Sequence, residues 1–240
     1  MNMKEKHMQH EHISKQFDAE LETVRSRVLQ MGGLVEEQIV NAIEALVNSK
    51  LDLADDVIAK DLQVNAMEVE IDEACAHIIA RRQPTAGDLR MVMTVIKTIT
   101  DLERIGDEAE KIARMSKLIY QSGRLSTPRF TEIKMMSGIV LEMLRKSLDA
   151  FARLDIVTAV QVPRQDILVD DAFSACIRHL ITFMMEDPRT ISTSLDVLFA
   201  AKAIERIGDH AKNMSEYVVY MVKGKDVRHT SIEEIEREVE

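Results

Sequence analysis

Glu103-Arg104-Ile105-Gly106-Asp107 recurs letter for letter as Glu205-Arg206-Ile207-Gly208-Asp209, at an offset of 102 residues. Outward from these two copies, further blocks repeat in the same order. Leu51-Asp52 is echoed by Leu154-Asp155 at an offset of 103. Asp61-x-x-Val64-Asn65 is echoed by Asp166-x-x-Val169-Asp170 at an offset of 105. One five-residue identity can arise by chance in a helix-rich chain, but three blocks in matching order point to an internal duplication.

The hydrophobic pattern around the copies is helical. In the first segment, about 13–48, Leu21, Val24, Val28, Met31, Val35, Ile39, Ile43 and Leu46 recur three and four apart, which places them on one face. A second segment covers about 53–82 and stops ahead of Pro84, because a proline disfavours helix in the residue before it. A third runs from about 85 to 120. Gln121–Arg129 (QSGRLSTPR) then gathers Ser, Gly, Thr and Pro, the composition of a linker. Beyond it the pattern repeats over about 129–154, 156–186 and 189–222, with Gly224 as a helix stop. The Gly32-Gly33 pair is expected to loosen or bend the first helix, and Pro163 to kink the fifth or delay its start. Ser231 and Glu234 form a capping-box pattern at the head of a short acidic helix. The expectation is an all-α chain of two tandem antiparallel three-helix bundles. It divides into a disordered leader (1–12), a first bundle (13–122), a linker (123–128), a second bundle (129–224) and an acidic tail (225–240).

Composition narrows the function. Among 240 residues, 46% are hydrophobic, enough for a core, and 31 Lys+Arg against 41 Asp+Glu give a net charge of −10. Such a balance opposes binding to a phosphate backbone, so no nucleic-acid partner is expected. Aromatic residues at 4%, with no Trp, leave little for a stacking platform. Cys75 and Cys176 each lie within an apolar-periodic stretch and read as reduced core thiols of a cytoplasmic protein. The leader holds His7, His10 and His12 but has no apolar run of the signal-peptide kind. The longest apolar-rich stretch, Ile39–Val47, is far short of the ~20 residues of a membrane span.

Carboxylates occupy an unexpected arc. With Ile99 at the centre of the third helix, Val92, Val95, Ile96 and Leu102 fall within roughly 60° of it. Glu103, Asp107 and Glu110 fall at roughly 40°, 80° and 20°, while Arg104 and Lys111 lie beyond roughly 110°. The sixth segment places Glu205 and Asp209 in the same way beside Leu198 and Ile204. On the second, Asp61, Asn65, Glu68 and Asp72 follow one edge of the apolar face centred on Ile71. An ionised carboxylate on an apolar seam costs several kcal/mol unless it is protonated, paired with a base or bound to a metal. If the strips face each other, they supply oxygen donors and no obvious local base. Oxygen-only donor sets suit Mg, Mn, Ca or Fe. Gly106 and Gly208, inside helices, suggest close helix approach or room beside the carboxylates.

These residues resemble the PhoU family of phosphate-uptake regulators over nearly the whole chain. The likeness rests on Met31–Gln38 (MGGLVEEQ), Asp61 and Asn65, Met67–Cys75 (MEVEIDEAC) and Ile79–Pro84 (IARRQP). It continues through Asp88–Arg90 (DLR), Asp101–Asp107 (DLERIGD), Ala150–Arg153 (AFAR) and Ile204–His210 (IERIGDH). The resemblance implies a cytoplasmic homodimer that negatively regulates the phosphate regulon. It would bridge the ATPase subunit of a phosphate ABC transporter and the sensor histidine kinase of the phosphate two-component system, recruited to these membrane partners without a span of its own. It also implies metal ions (Fe, Mn, Mg or Zn, in multinuclear clusters in some members) held by Glu/Asp-x-x-x-Asp motifs. Here those fall on Glu103/Asp107 and Glu205/Asp209, with Asp61/Asn65 and Asp166/Asp170 as the facing pairs. Asn65 departs from a strict acid pair and lowers the charge of the first site.

Two other readings are open. A di-iron or di-manganese carboxylate oxidase needs Glu-x-x-His on two helices, and the chain has none. P-loop, G-x-G-x-x-G and nucleophile-elbow motifs are absent too, so no catalytic residue is assigned and no enzyme is expected. A purely structural bundle would pair its acids with bases such as Arg81, Arg82 or Arg90 and hold no metal.

Overall fold

A computed structural model describes residues 15–121, 130–228 and 230–237. The leader (1–12), the linker (123–128) and residues 238–240 of the tail lie outside the described residues. Eight α-helices follow in order among those described: α1 (Lys15–Asn48), α2 (Leu51–Arg82), α3 (Ala86–Gln121), α4 (Thr131–Arg153), α5 (Ile156–Ala159), α6 (Val162–Glu186), α7 (Ile191–Lys223) and α8 (Ile232–Arg237). No strand occurs among the described residues.

Helix ends follow local chemistry. Gln83 caps α2 in a left-handed conformation (φ 47°), its N–H donating to the Ile79 carbonyl at 3.2 Å, and Pro84 follows. Gly224 closes α7 in the same way, with φ 73° and a 2.8 Å bond to the Tyr220 carbonyl. Pro163 delays the fifth segment instead of kinking it. Asp155 caps the single turn α5, and α6 restarts with Pro163 in its first turn, where the missing N–H would have had no partner. The capping box forms as read: the Glu234 N–H donates to Ser231 Oγ at 3.3 Å and the Ser231 N–H to Glu234 Oε2 at 3.4 Å.

Helices α1, α2 and α3 pack against one another, as do α4, α6 and α7. Short links make neighbours within each bundle antiparallel. The bundles join mainly through α3 against α7, and also through α1 against α4. Gly32 belongs to the second contact. Helix α1 is continuous through 32–33, so the glycine pair does not break it. A Cβ on Gly32 would instead lie 2.6 Å from a Leu148 methyl of α4. The glycine permits close approach of the two bundles. Arg25 donates to the Ala152 carbonyl at 2.9 Å, and Arg145 pairs with Glu36 at 2.6 Å along the same contact.

Across α3 and α7, Asp101 Oδ1 lies 2.7 Å from His210 Nδ1 and accepts from Asn213 at 3.3 Å. Glu108 pairs with Arg206 at 3.1 Å, and Lys97 sits over the rings of Tyr217 and Tyr220. Rising numbers on one helix meet falling numbers on the other, so these two also run antiparallel. Cys75 and Cys176 are free and buried, and burial pushes their thiols up to about 12 and about 11, leaving them inert.

Candidate metal centre

The four repeat segments bring their acids together in two clusters, one per bundle. In the first, α2 lies across α3 at Gly106. A Cβ placed there would meet Asp61 Oδ1 at 3.4 Å, Val64 at 3.3 Å and Gln38 Oε1 at 3.3 Å. The small residue thus lets a carboxylate of α2 and an amide of α1 reach the α3 backbone between Glu103 and Asp107. In the second, the same point on Gly208 faces Asp166 Oδ1 at 3.6 Å, Val140 at 3.4 Å and Met143 at 3.7 Å.

Burial divides each cluster into an inner and an outer part. Asp61 (7% exposed) and Asp166 (6%) are buried; Asn65, Glu103 and Glu205 are half-buried; Asp107, Asp170 and Asp209 stand at the exposed rim. The helical wheel placed Glu103, Asp107, Glu205 and Asp209 on the core-facing arc and Asp61 and Asn65 along its edge. The outer ones escape because an arc edge some 80° from the core centre reaches solvent. Arg104 is exposed, as the wheel predicts.

In the first cluster no base is bonded to the inner acid, and Arg114 opposes its rise only from a distance, as the last of the contributions. Desolvation holds Asp61 above the ordinary carboxylate range, helped by Asp107 and Glu110 and opposed by a 3.1 Å bond from Asn65 Nδ2. Glu103 is raised by burial and then by Asp107, Glu68 and Asp61; Asp107 is raised by burial and then by Glu110 and Glu108. Asp61 Oδ1, Asn65 Oδ1 and both polar atoms of Gln38 are buried without a hydrogen-bond partner. Arg82, a candidate clamp, is engaged elsewhere, in a two-armed bond to Glu20 at 2.6 and 2.9 Å.

The second cluster differs. Lys212 Nζ donates to Asp166 Oδ2 at 2.8 Å, and Lys202 Nζ donates to Glu205 Oε1 at 2.5 Å. Burial opposes the charge of Lys212, yet the Asp166 bond, Glu216 and Asp209 hold its ammonium above the ordinary lysine value. Asp170 and Asp209 are still raised, by desolvation first and then by their acidic neighbours. The absence of a local base, expected from the strips, therefore does not extend to the second bundle.

Among the described residues, no three Cys, His, Asp or Glu side chains are gathered closely enough to hold one ion in the arrangement seen. Sequence reasoning passes over three participants: Gln38, Lys202 and Lys212. Lys212 was detectable, because at the 102-residue offset it stands where Glu110 stands in the first copy. Gln38 carried no such signal, since its role depends on α1 lying over the α2–α3 contact.

The PhoU domain model matches residues 28–116 and 133–218, the two bundles in turn. The chain is 49% identical to the phosphate-specific transport system accessory protein PhoU of Escherichia coli, covering 94% of this chain and 93% of the relative. A Pseudomonas aeruginosa homologue of that accessory protein is 47% identical, over 95% of this chain and 94% of its own. The crystal structure of PhoU from Pseudomonas aeruginosa superposes with a TM-score of 0.84 at 47% identity, covering 88% of this chain and 100% of the other. A phosphate transport system regulatory protein PhoU from Streptococcus pneumoniae gives 0.81 at 29%, covering 88% and 99%.

Proposed function

The chain belongs to the PhoU family, and we propose that it is the accessory protein of a phosphate-specific transport system, a cytoplasmic, homodimeric and non-enzymatic adaptor. It links the ATPase subunit of a phosphate ABC transporter to a sensor histidine kinase. When phosphate is plentiful, it restrains uptake and favours the non-signalling state of the kinase, so that the phosphate regulon stays repressed. The observation that carries this reading is near-full-length similarity to relatives named for that system.

Two features of the molecule support an adaptor. No described helix is long and apolar enough to cross a membrane, so membrane partners are reached by docking. Large apolar side chains also stand exposed on both bundles, including Leu62 (75% exposed), Met185 (78%) and Phe199 (52%), where a docking partner can cover them. The test is co-purification of the full chain with the cytosolic part of the kinase at high and low phosphate. Association that changes with phosphate is expected; none in either condition overturns the proposal.

Metal ions form the second part of the reading. The unpartnered oxygens of Asp61 and Asn65, with Glu103 and Asp107 beside them, are an oxygen-only donor set that fits a hard cation of the Mg, Mn or Fe type more readily than Zn. Asp61 and Asn65 would hold it from α2, Glu103 and Asp107 from α3, with water filling the remaining positions. In the second bundle Asp166, Asp170, Glu205 and Asp209 occupy the corresponding positions, with Lys212 and Lys202 already beside Asp166 and Glu205. The cation supplies the positive charge that the inner carboxylates otherwise lack, and so ties α2 to α3. Protein purified without chelator or affinity tag is expected to carry metal that Glu103→Ala with Asp107→Ala removes. Equal metal in both proteins sinks this part. The structural reading has one observation in its favour, the lysine pairs of the second bundle.

A further inference from the structure

The two clusters descend from one repeat but no longer share one chemistry. The first copy carries Glu110 and Arg114 where the second carries Lys212 and Glu216, so the i, i+4 order of acid and base is reversed. The reversal matters because the earlier member of each pair is the one nearer the inner acid. Arg114 reaches Glu110 at 2.5 Å from a largely exposed position, so it compensates little. Lys212 instead donates directly to the buried Asp166. Position 202 strengthens the contrast. Lys202 covers Glu205, whereas its counterpart Thr100 bonds to its own helix, at the Ile96 carbonyl.

The floor of each cluster differs in the same sense. Gln38 is 1% exposed, and neither its Oε1 nor its Nε2 has a partner among the described residues. Its Oε1 and Asp61 Oδ1 converge on the same point beside Gly106. In the second bundle, Val140 and Met143 occupy the corresponding place beside Gly208. A buried amide with no partner is costly, whereas the apolar pair leaves no polar atom unmet beside Gly208; the orphan oxygen of the second cluster, Glu205 Oε2, belongs to a carboxylate that Lys202 already pairs.

We propose that Lys212 is a built-in cation that closes the second cluster, and that Gln38 is a neutral oxygen ligand of the first, so that a hard divalent cation binds between α1, α2 and α3 only. This rests on the metal reading above and refines it. One bundle is held by an exchangeable cation, the other by a permanent one. A fall in divalent cation would therefore loosen the first bundle alone.

The test is a titration of EDTA-treated, tag-free full chain with Mn²⁺, reading free Mn²⁺ by electron paramagnetic resonance. Wild type is expected to show one class of site. Asp61→Asn should weaken it at least tenfold, and Gln38→Leu should weaken it measurably. Asp166→Asn should leave it unchanged, and Lys212→Gln should create a second class. Far-UV circular dichroism confirms that each variant is folded; should Asp166→Asn unfold, Asp170→Asn at the exposed rim takes its place. Two classes in wild type, one of them removed by Asp166→Asn, overturn this inference and leave the metal reading standing. Unchanged Mn²⁺ affinity in Gln38→Leu removes Gln38 from the site. Wild type that binds no Mn²⁺ overturns both.

Discussion

Glu216 lies near the end of α7 with only 8% of its surface exposed. Desolvation pushes its carboxyl up to about 7, against an ordinary 4.5. Lys212 and Arg228 oppose the rise, while Asp226 and Asp166 add to it. An acid whose value is higher in the folded chain than in the unfolded one binds more protons when folded. The chain therefore loses stability as pH climbs from about 4.5 to about 7. Glu216→Gln removes that dependence. At pH 4.5 the variant and wild type should melt together; at pH 8 the variant should be more stable by roughly 1–3 kcal/mol. Thermal melts across this range check it, and equal melting temperatures at pH 8 would contradict the assignment.

Helix α1 shows two adjacent glycines doing different things. Gly33 meets nothing within 4 Å of where a Cβ would sit, while Gly32 meets Leu148 at 2.6 Å. An interior Gly costs a helix about 1 kcal/mol relative to Ala. Gly33→Ala should therefore stabilise the protein by about 1 kcal/mol. Gly32→Ala should fall short of that gain by about 1 kcal/mol or more, because Leu148 must turn out of its packed position. Urea unfolding of the two variants checks the difference, and equal gains would remove Gly32 from the contact between bundles. Neighbouring letters in a sequence look alike here; only the partner helix distinguishes them.

The two bundles do not behave as beads on a string. Helix α3 is buried on two sides: Val92, Val95, Ile99 and Leu102 serve its own bundle, while Asp101 and Glu108 engage α7. A seam that includes a buried Asp101–His210 bond couples the two cores. A single cooperative urea transition is expected, followed alike by circular dichroism and by protection of both bundles from proteolysis. His210→Ala leaves Asp101 buried without its strongest partner and should lower stability by about 2–3 kcal/mol. Two separate transitions in wild type would show that the seam does not couple the bundles.

Much of this organisation was legible in the letters. Helical periodicity, an interruption at Pro163, the Gly224 stop and the repeated ERIGD copies each follow from local rules that one strand of text carries. So did the inward tilt of Asp61, Glu103 and Glu205, since a wheel needs only the angle between neighbours, while Asp166 followed from the repeat. The second buried face of α3 was not legible, because Asp101 and Glu108 are ordinary surface residues until α7 covers them. Gln38 belongs with it, as does the bond from Lys212 to Asp166, although the swap of Glu110 for Lys212 between the copies was legible. Whether a polar group is a satisfied side chain, an orphan or a counter-ion depends on which helix lies opposite, and that is a property of packing, not of spacing.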